Sequence, residues 1–477
     1  MINFAKNWVY GLVLLLLILG GLWVRIYKIG NPIADWHSWR QADTAAVTRN
    51  FVRFGVDLMH PRFDDLSSVA SGKENPQGWR FVEFPIYNLL SFWFYGVLPG
   101  GSMEVAGRWV SIMASMVSAV VLASLVGRYK GRGWGIVTAA VFLFLPFNIY
   151  YSRVILPEPL AVGLALSGYW FFVRWWEKNR VWDYLVASVL WAAAILVKPT
   201  VGFLGLPICY LVWLRYKFGA LGKLSLWGFA VMVILPFLGW REWMSQFPEG
   251  IPANRWLLNG DGIRLRPAWW RWLLGERLGR LILGIWGLVP FVGGFFNQTK
   301  KEEKHLWGLA VGAVLYLMVF ATGNVRHDYY QIVIMPAVVL LLVWGIFRMW
   351  TGDWLKWRRR VMVVFCLVLG WGLGWYQVRD YYNINRPEIV EAGRRVNDIA
   401  ENEAKVIAPY NGDTAFLYQT GRQGWPVVTK SIEEMIKDGA GYYVAVDFDQ
   451  TTKAVIEKYQ VLEMNNKYVI VKLTQKE

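Results

Sequence analysis

The chain has 477 residues, of which 56% are hydrophobic and 17% aromatic, and Lys plus Arg outnumber Asp plus Glu by 50 to 34. Soluble proteins rarely contain so many apolar residues. Residues 386–477 contain 12 basic and 14 acidic residues, so the basic excess belongs to the apolar part of the chain. This distribution is typical of positively charged cytoplasmic loops in a membrane protein, and it excludes nucleic acid as the expected partner.

The first apolar run, WVYGLVLLLLILGGLWV, is followed by RIYKIG rather than by a small-residue cleavage site. It therefore predicts an uncleaved transmembrane helix. A bilayer core about 30 Å thick requires about 20 apolar residues per helix. By this criterion the sequence predicts about eleven transmembrane helices, near residues 8–27, 106–126, 134–151, 158–174, 182–197, 200–214, 224–240, 279–296, 306–321, 329–347 and 361–377. Cys209 and Cys366 lie inside these runs, which argues against a disulfide framework.

The orientation follows from the short loops, five of which are basic. They are RYKGR (128–132), RWWEKNR (174–180), RYKFGALGK (215–223), KKEEK (300–304) and WLKWRRR (354–360). With the N-terminus inside, all five are expected to face the cytoplasm. The run 84–98, FPIYNLLSFWFYGVL, would reverse this pattern if it crossed the bilayer. We therefore predict that it forms an interfacial or re-entrant aromatic helix on the outer side.

Two long segments, 28–105 and 241–278, are then outer loops of a transmembrane domain that covers residues 1–385. The composition changes after Asn385. KVIAPY, GYYVAVDF and KYVIVKL read as strands, and EIVEAGRRVNDIAENE, SIEEMIKD and QTTKAVIEKYQ read as helices. Alternating strands and helices predict a small soluble α/β domain over residues 386–477, on the outer face.

Ionisable residues are almost absent from the midpoints of the predicted spans and gather at the outer ends. They include Asp35, His37, Arg40, Asp43, His60, Asp64, Asp65, Arg80, Glu83, Arg153, Glu158, Lys198, Arg326, His327 and Asp328. Channels and ion-coupled transporters usually keep such groups near the midplane of the bilayer. A polar cap suits instead a reaction at a lipid headgroup, with cations that bind phosphate and an Asp that acts as general base.

Less specific interpretations compete with this one. Arg40 and Asp43 are spaced i,i+3 on a predicted helix, which also fits an ordinary surface ion pair. The Asp pair at 64–65 is more typical of a turn than of a metal site. Arg153 and Lys198 could be anchors at span ends whose charged groups reach water.

The Trp-rich stretch 254–273 fits an interfacial aromatic belt. His327 lies in a loop, where most His residues are structural, although its neighbours Arg326 and Asp328 are also ionisable. Both functional and structural interpretations therefore stay open for these segments.

Several segments, in order, resemble membrane glycosyltransferases of the GT-C fold. They are HSWRQADTAAVTRNF, EFPIYN, SRVILPEPLAVGLAL, LVKPTVGF and RHDYYQIVIMP. The nearest branch is the bacterial one related to protein O-mannosyltransferases and lipid A aminoarabinose transferases (glycosyltransferase family 39-like). The resemblance covers residues 1 to about 350. It implies a polytopic α-helical membrane protein with a catalytic Asp in a long first outer loop and, after the spans, a small soluble α/β domain.

The resemblance also implies inverting transfer of a hexose or pentose from a polyprenyl-phosphate-linked donor to an acceptor hydroxyl. An Asp of the first loop would take the hydroxyl proton. Many relatives open the loop helix with the sequence DEA, whereas the matching positions here read Arg40-Gln41-Ala42. We therefore predict Asp43 as the first choice for the base and Asp35 as the second.

The Lys-Pro-Pro block of relatives, whose Lys meets the lipid phosphate, reads Glu83-Phe84-Pro85 here. The phosphate must therefore be held by other cations. The predicted substrate-binding residues are His37, Arg40, Gln41, Arg80, Glu83, Arg153, Glu158, Lys198, Arg264, Arg266, Arg326, His327 and Tyr329. We predict no cofactor and no metal, although some GT-C enzymes need a divalent cation.

The predicted location is a prokaryotic plasma (inner) membrane, with the active face and the C-terminal domain outside the cytoplasm. The sugar, and whether the acceptor is a protein, a lipid or a glycan, stay open. The main alternative is a transporter or flippase of a lipid-linked or anionic solute, which predicts ionisable groups at mid-depth. A further alternative is a membrane scaffold whose outer domain binds a partner.

Overall fold

The computed structural model describes residues 2–98, 101–352 and 356–475. The N-terminal part is helical, with α1 Ile2–Ile26, α2 Ser38–Phe54, α3 Ile86–Val97, α4 Met103–Lys130, α5 Arg132–Phe144, α6 Pro146–Tyr151, α7 Glu158–Lys178, α8 Val181–Val197, α9 Leu206–Tyr216, α10 Leu224–Ser245, α11 Trp256–Asn259, α12 Pro267–Trp270, α13 Leu288–Phe295, α14 Trp307–Val319, α15 Ala321–Arg326, α16 Met335–Thr351 and α17 Lys356–Val378. Short 3₁₀ helices cover Pro199–Gly205, Lys217–Gly222, Pro248–Gly250, Lys301–Leu306, Asp328–Ile334 and Arg379–Tyr382, and a π-helix covers Arg271–Ile282.

The C-terminal part alternates helices and strands. It contains α18 Pro387–Ile399, β1 Lys405–Ile407, α19 Thr414–Gln419, β2 Gly424–Trp425, α20 Ile432–Lys437, β3 Ala440–Ala445, α21 Gln450–Lys458, β4 Tyr459–Met464 and β5 Val469–Gln475. The predicted α/β character of this region is confirmed. The predicted helix over residues 450–460 is wrong at its end, because Tyr459 and Gln460 begin β4.

Within the described residues, six helical segments are long and apolar enough to cross a membrane. They are Trp8–Ile26, Met103–Lys130, Pro199–Gly222, Leu224–Ser245, Asp328–Thr351 and Lys356–Ile399. The fold is thus that of a polytopic α-helical membrane protein, and the count of eleven spans stays a prediction. The aromatic run 84–98 contains α3, whose 12 residues rise only about 18 Å, too little for a bilayer core of about 30 Å.

The residue contacts divide the chain into two compact units. The first, which we call the helical unit, comprises Met1–Tyr27, Val110–Trp240 and Asn254–Asp380. The second, which we call the mixed unit, comprises Lys28–Trp109, Arg241–Ala253 and Tyr381–Glu477. The mixed unit groups the first loop with the C-terminal α/β region, a grouping that sequence patterns do not reveal.

Small residues allow close helix packing in the helical unit. A Cβ atom at Gly345 of α16 would lie 1.6 Å from the carbonyl oxygen of Pro290, and one at Gly294 of α13 would lie 2.0 Å from that of Leu341. Any side chain at either position would therefore force α13 and α16 apart. Such close backbone approach at small residues is typical of helix packing in membranes.

The mixed unit contains a five-stranded sheet with the order β2-β1-β3-β5-β4. β1 is parallel to β2 and β3, whereas β5 is antiparallel to β3 and β4. Alternate side chains of β3 enter two cores: Tyr442 and Val444 pack with α18 and α19, and Tyr443 packs with α20 and α21. The strand period of two thus buries both faces of the sheet.

The first loop continues this sheet within the same unit. The backbone of Leu66 donates to the carbonyl of Gly424 over 2.8 Å, and the backbone of Gly424 donates to the carbonyl of Asp64 over 2.9 Å. α2 packs against α19. Most of α2 is buried even though its sequence is polar. A buried polar helix must satisfy its side chains internally, so α2 is the natural place to look for a site.

Candidate active site

Asp43 lies on α2 at the centre of a buried polar network in the mixed unit. Arg80 Nη2 donates to Asp43 Oδ2 over 2.6 Å. Thr414 Oγ1 donates to Asp43 Oδ1 over 2.7 Å. Only 5% of the residue is exposed. Burying a carboxylate is costly unless it is paired and hydrogen-bonded, and both oxygens of Asp43 have such a partner. Its side chain is therefore held in one orientation.

Asp35 lies just before α2 and is equally buried. Gln41 Nε2 donates to Asp35 Oδ1 over 2.7 Å and to the carbonyl of Trp36 over 3.1 Å. Between them, His37 precedes the helix in the left-handed conformation, with φ 54° and ψ 37°. This conformation is uncommon for residues other than glycine. The turn that it forms brings the carboxylate of Asp35 back to the side chain of Gln41.

Arg40 and Glu83 form a second, partly buried ion pair in this unit, with Arg40 Nη2 2.5 Å from Glu83 Oε1. Arg40 and Asp43, although spaced i,i+3, therefore take different partners. Both are buried, so the interpretation of these two residues as an ordinary surface pair is wrong. A buried pair is retained only with good geometry and further hydrogen bonds.

A cavity of about 230 Å³ opens beside Asp35. Its lining combines the turn before α2 with the C-terminal domain: Ala34, Asp35, Trp36, His37, Ser38, Trp39, Asn385, Arg386, Ile389, Tyr410 and Asp413. Asp413 also caps α19, since its Oδ1 accepts from the backbone of Ala415 over 2.7 Å. Burial raises the pKa of the Asp413 carboxyl to about 6, and the nearby charge of Asp43 adds to this rise.

Asp65 forms the kind of turn predicted for the Asp pair, whereas Asp64 is held in an ion pair. Asp65 Oδ1 accepts from the backbone of Ser67 over 2.8 Å, two residues ahead, which is an Asx turn. Asp64 pairs with Arg49. Burial raises the pKa of the Asp65 carboxyl to about 7. In residues 2–98, 101–352 and 356–475, no group of three or more His, Cys, Asp or Glu side chains could hold a metal ion.

The helical unit contains a separate set of the predicted residues. Lys198 Nζ lies 2.8 Å from Glu158 Oε1, and both side chains are buried. Arg153 is fully buried. Anchors at span ends keep their charged groups in water, so that interpretation is wrong for Lys198 and Arg153.

Asp328, which the sequence placed in the polar cap, is also buried in the helical unit. The hydroxyl of Tyr151 donates to Asp328 Oδ1 over 2.5 Å, and Arg277 Nη1 lies 3.6 Å from Asp328 Oδ2. Arg277 was not among the predicted residues, because it is one of several Arg residues in the segment 241–278 and the sequence carries no signal of its partner.

The remaining predicted Arg residues of this unit, Arg264, Arg266 and Arg326, lie at more exposed positions. Arg264 Nη2 donates to the carbonyls of Leu258 and Val319, each over 3.1 Å. Arg266 is exposed. Arg326 Nη2 lies 3.5 Å from Asp261 Oδ2, in a pair whose Arg side chain is 56% exposed.

His327 and Tyr329 form an aromatic group in the helical unit. Their rings stack with centroids 5.5 Å apart, and the ring of Trp256 meets that of His327 edge-on at 5.7 Å. Tyr329 is almost completely buried, with 1% exposed. The structure thus brings the predicted residues into two groups, one in each unit. The group in the mixed unit comprises Asp35, His37, Arg40, Gln41, Asp43, Arg80 and Glu83.

Sequence reasoning missed the contribution of the C-terminal domain to the mixed-unit group. Thr414 contacts Asp43 from 371 residues away, and Tyr410 and Asp413 line the cavity. The one available signal was the segment AFLYQTGRQGW, which follows Thr414 directly and resembles relatives. Its contacts could not be read from periodicity.

Comparisons with known proteins agree with this architecture. Residues 89–240 match the sequence model of the family described as "Dolichyl-phosphate-mannose-protein mannosyltransferase". A search of curated proteins finds no match to the chain.

Solved structures are similar over nearly the whole chain. ArnT from Cupriavidus metallidurans bound to undecaprenyl phosphate matches with a TM-score of 0.68 and 12% identity, over 98% of each chain. The apo state of the same ArnT matches with a TM-score of 0.66 and 14% identity, also over 98% of each chain. The Archaeoglobus fulgidus oligosaccharyltransferase in complex with Zn and sulfate matches with a TM-score of 0.53 and 12% identity, over 91% of this chain and 67% of that chain. The resemblance predicted from the sequence is thereby confirmed, and the chain has the GT-C fold of membrane glycosyltransferases.

Proposed function

We propose that this protein transfers a sugar from a polyprenyl-phosphate-linked donor to an acceptor hydroxyl, with inversion at the anomeric carbon. The observation that carries the proposal is the pair of buried carboxylates, Asp35 and Asp43, on the first loop of a fold shared with an ArnT bound to undecaprenyl phosphate. A general base must lie within reach of the hydroxyl proton that it abstracts.

Asp35 fits the role of base better than Asp43, the reverse of the ranking from sequence. Asp35 borders an open cavity, whereas both oxygens of Asp43 accept hydrogen bonds from Arg80 and Thr414. Relatives place an acid at the position that matches Gln41, and Asp35 Oδ1 lies 2.7 Å from the Gln41 side chain. Asp35 thus supplies from the preceding turn the carboxylate that α2 lacks at this position.

Asp43 acts in this proposal as a positioning residue. It connects Arg80 to Thr414 and so ties the first loop to the C-terminal domain of the same unit. Arg40 and Glu83 supply a second such link from α2 to the segment before α3. Groups held by packing and hydrogen bonds keep a catalytic carboxylate within the narrow geometry that the reaction needs.

The reaction then proceeds by a single displacement. The acceptor oxygen forms a bond to the anomeric carbon, its proton passes to the Asp35 carboxylate, and the bond from that carbon to the phosphate oxygen breaks. The polyprenyl monophosphate leaves with the electron pair. Cations that stabilise this leaving charge supply a large share of the rate. Lys198, Arg153, Arg264, Arg266, Arg326 and His327 are the proposed phosphate-binding residues, with Glu158 and Tyr329 supporting them.

The position of the charges supports an enzyme rather than a transporter. Glu158 is the first residue of α7, and Lys198 directly follows α8. This buried pair therefore lies at helix ends, and the midpoints of the predicted spans contain almost no ionisable residues, whereas coupled transporters hold such groups at mid-depth. Together with the basic short loops, this supports a reaction on the outer face of the plasma membrane.

The experiment uses membranes that contain the full chain, supplied with radiolabelled polyprenyl-phosphate sugars. Label is expected to move from the lipid fraction to an acceptor. Asp35→Asn is expected to abolish this movement. Asp57→Asn is the matched control, since Asp57 lies in the same loop but is exposed and pairs with His60. Transfer by the Asp35→Asn variant at the wild-type rate would contradict the assignment of the base. The absence of transfer from every donor tested would contradict the function.

A further inference from the structure

The cavity beside Asp35 has a lining that is suited to one kind of ligand. It offers aromatic rings from Trp36, Trp39 and Tyr410, together with hydrogen-bonding groups from His37, Asn385 and Asp413. Tyr and Trp combine an apolar ring with a polar group. The lining is more polar than apolar, so convergent polar groups would fix a ligand by hydrogen bonds while the aromatic rings contact its apolar faces. A sugar ring suits this lining, because its hydroxyls can form hydrogen bonds with the polar groups and its two faces can pack against the aromatic rings.

The size of the cavity limits what it can hold. Its volume of about 230 Å³ lies below the range of roughly 300–1,000 Å³ typical of ligand pockets. It is therefore suited to one sugar residue and too small for a lipid anchor or several peptide residues.

The charge of the lining excludes a phosphorylated group. Asp35 and Asp413 both border the cavity. The cation among the lining residues, Arg386, is held by Asp447, with Nη2 3.0 Å from Oδ1, and by Glu388, with Nε 3.7 Å from Oε2. Its charge is thus balanced by carboxylates of its own domain. Like charges across an interface select strongly against a partner, so an anionic sugar would be repelled.

Resting on the proposed function, we propose that this cavity, which we call the acceptor cavity, binds a neutral sugar residue as the acceptor. Tyr410 and Asp413 of the C-terminal domain select it, and its reacting hydroxyl faces Asp35. The acceptor is thus a glycan or glycolipid whose terminal residue carries no phosphate. The C-terminal domain thereby helps to determine which acceptor the enzyme uses.

The first test measures transfer by the full chain in lipid nanodiscs, with a synthetic polyprenyl-phosphate sugar as donor. The acceptors are methyl glycosides of neutral hexoses, glucose 6-phosphate, and a peptide that contains Ser and Thr. Wild type is expected to use the neutral glycosides. Asp413→Asn and Tyr410→Phe are each expected to raise the KM for them about tenfold, the usual effect of losing one hydrogen bond to a charged or buried group. Asp413→Asn also removes a negative charge, so the preference over glucose 6-phosphate is expected to fall.

Asp449→Asn is the matched control. Asp449 caps α21 in the same way that Asp413 caps α19, since each accepts a backbone N–H, and Asn caps helices as well as Asp does. Asp449 does not belong to the lining of the acceptor cavity. Equal behaviour of the Asp413→Asn and Asp449→Asn variants would overturn the inference, as would a wild type that uses only the peptide or prefers glucose 6-phosphate.

A second measurement separates the inference from the proposed function. Saturation-transfer NMR of the methyl glycosides reports binding without chemistry. Binding by wild type that is lost in Asp413→Asn supports the acceptor cavity even if no donor is used. Transfer without detectable binding, or binding that both substitutions leave unchanged, would overturn it.

Discussion

The two groups of predicted site residues differ in their balance of charge. In the mixed unit, the carboxylates Asp35, Asp43 and Glu83 accompany the cations Arg40 and Arg80. In the helical unit, the cations Arg153, Lys198, Arg264, Arg266 and Arg326 accompany the carboxylate Glu158. Acidic surroundings suit proton acceptance from a neutral hydroxyl, and cationic surroundings suit an anionic leaving group. The difference teaches that the two groups suit different steps of the proposed reaction, namely acceptance of the proton and stabilisation of the leaving phosphate.

The largest effect is expected for the carboxylates of the mixed unit. Asp35→Asn should lower kcat by about 10²–10⁴-fold, because an amide cannot accept the acceptor proton. Asp43→Asn should cost less, since Asn can still accept from Thr414 and only the Arg80 ion pair is lost. Single-turnover transfer measures both, with binding of undecaprenyl phosphate as the control that should not change. A larger loss of kcat in Asp43→Asn than in Asp35→Asn would instead support Asp43 as the general base, as the sequence ranking predicts.

The next effect concerns the stability of the helical unit. Lys198→Met leaves the carboxylate of Glu158 buried without its cation, and breaking a buried pair in this way costs about 3–5 kcal/mol. The unfolding temperature of Lys198→Met, measured in detergent, should be much lower than that of wild type. The double variant Glu158→Gln with Lys198→Met should recover most of it, because no isolated charge remains. If Lys198→Met alone were as stable as wild type, the ion pair would have to be hydrated rather than buried.

A smaller effect is expected from the pH dependence of the mixed unit. The folded-state pKa of Asp65 is raised to about 7, so the folded protein retains a proton that the unfolded chain has lost. The resulting stabilisation is complete below about pH 4 and disappears as the pH rises through 7. About 2 kcal/mol should be lost between pH 5 and pH 7. Asp65→Asn keeps an oxygen that can accept from the backbone of Ser67. In this variant the free energy of unfolding, measured against pH, should change little between pH 5 and pH 7. Identical profiles for the two proteins would show that Asp65 is ionised throughout.

The smallest effect on stability is expected for Arg326 in the helical unit. Its pair with Asp261 is largely exposed, and such pairs contribute about 0–1 kcal/mol. Arg326→Ala should therefore leave the unfolding temperature nearly unchanged while it weakens the binding of undecaprenyl phosphate several-fold. Arg326→Lys should retain more of the affinity than Arg326→Ala. Unchanged affinity in Arg326→Ala would remove this residue from the proposed phosphate site.

Much of the fold followed from local patterns. Apolar runs predicted the long helices, and the segments KVIAPY, GYYVAVDF and KYVIVKL predicted β1, β3 and β5, because hydrophobicity and strand propensity are properties of short segments. The strands β2 and β4 were not predicted. β2 has only two residues, and β4 directly follows a helix, so neither has a pattern of its own. Asp35 and Asp43 could be selected as candidates because the segment that contains them resembles the first outer loop of GT-C glycosyltransferases, which implies a catalytic Asp there. The sequence could not decide which of the two is the general base, because it does not reveal which carboxylate borders a cavity.

The sequence by itself determined that the chain is a polytopic membrane protein with a polar, charged first loop and an α/β tail, since hydrophobicity and strand propensity are local properties. Only the tertiary structure decided the partners. Asp43 meets Arg80 and Thr414 from 37 and 371 residues away, and the turn at His37 returns Asp35 to Gln41. Such contacts depend on how buried polar groups satisfy one another across the chain, and no local pattern records that choice.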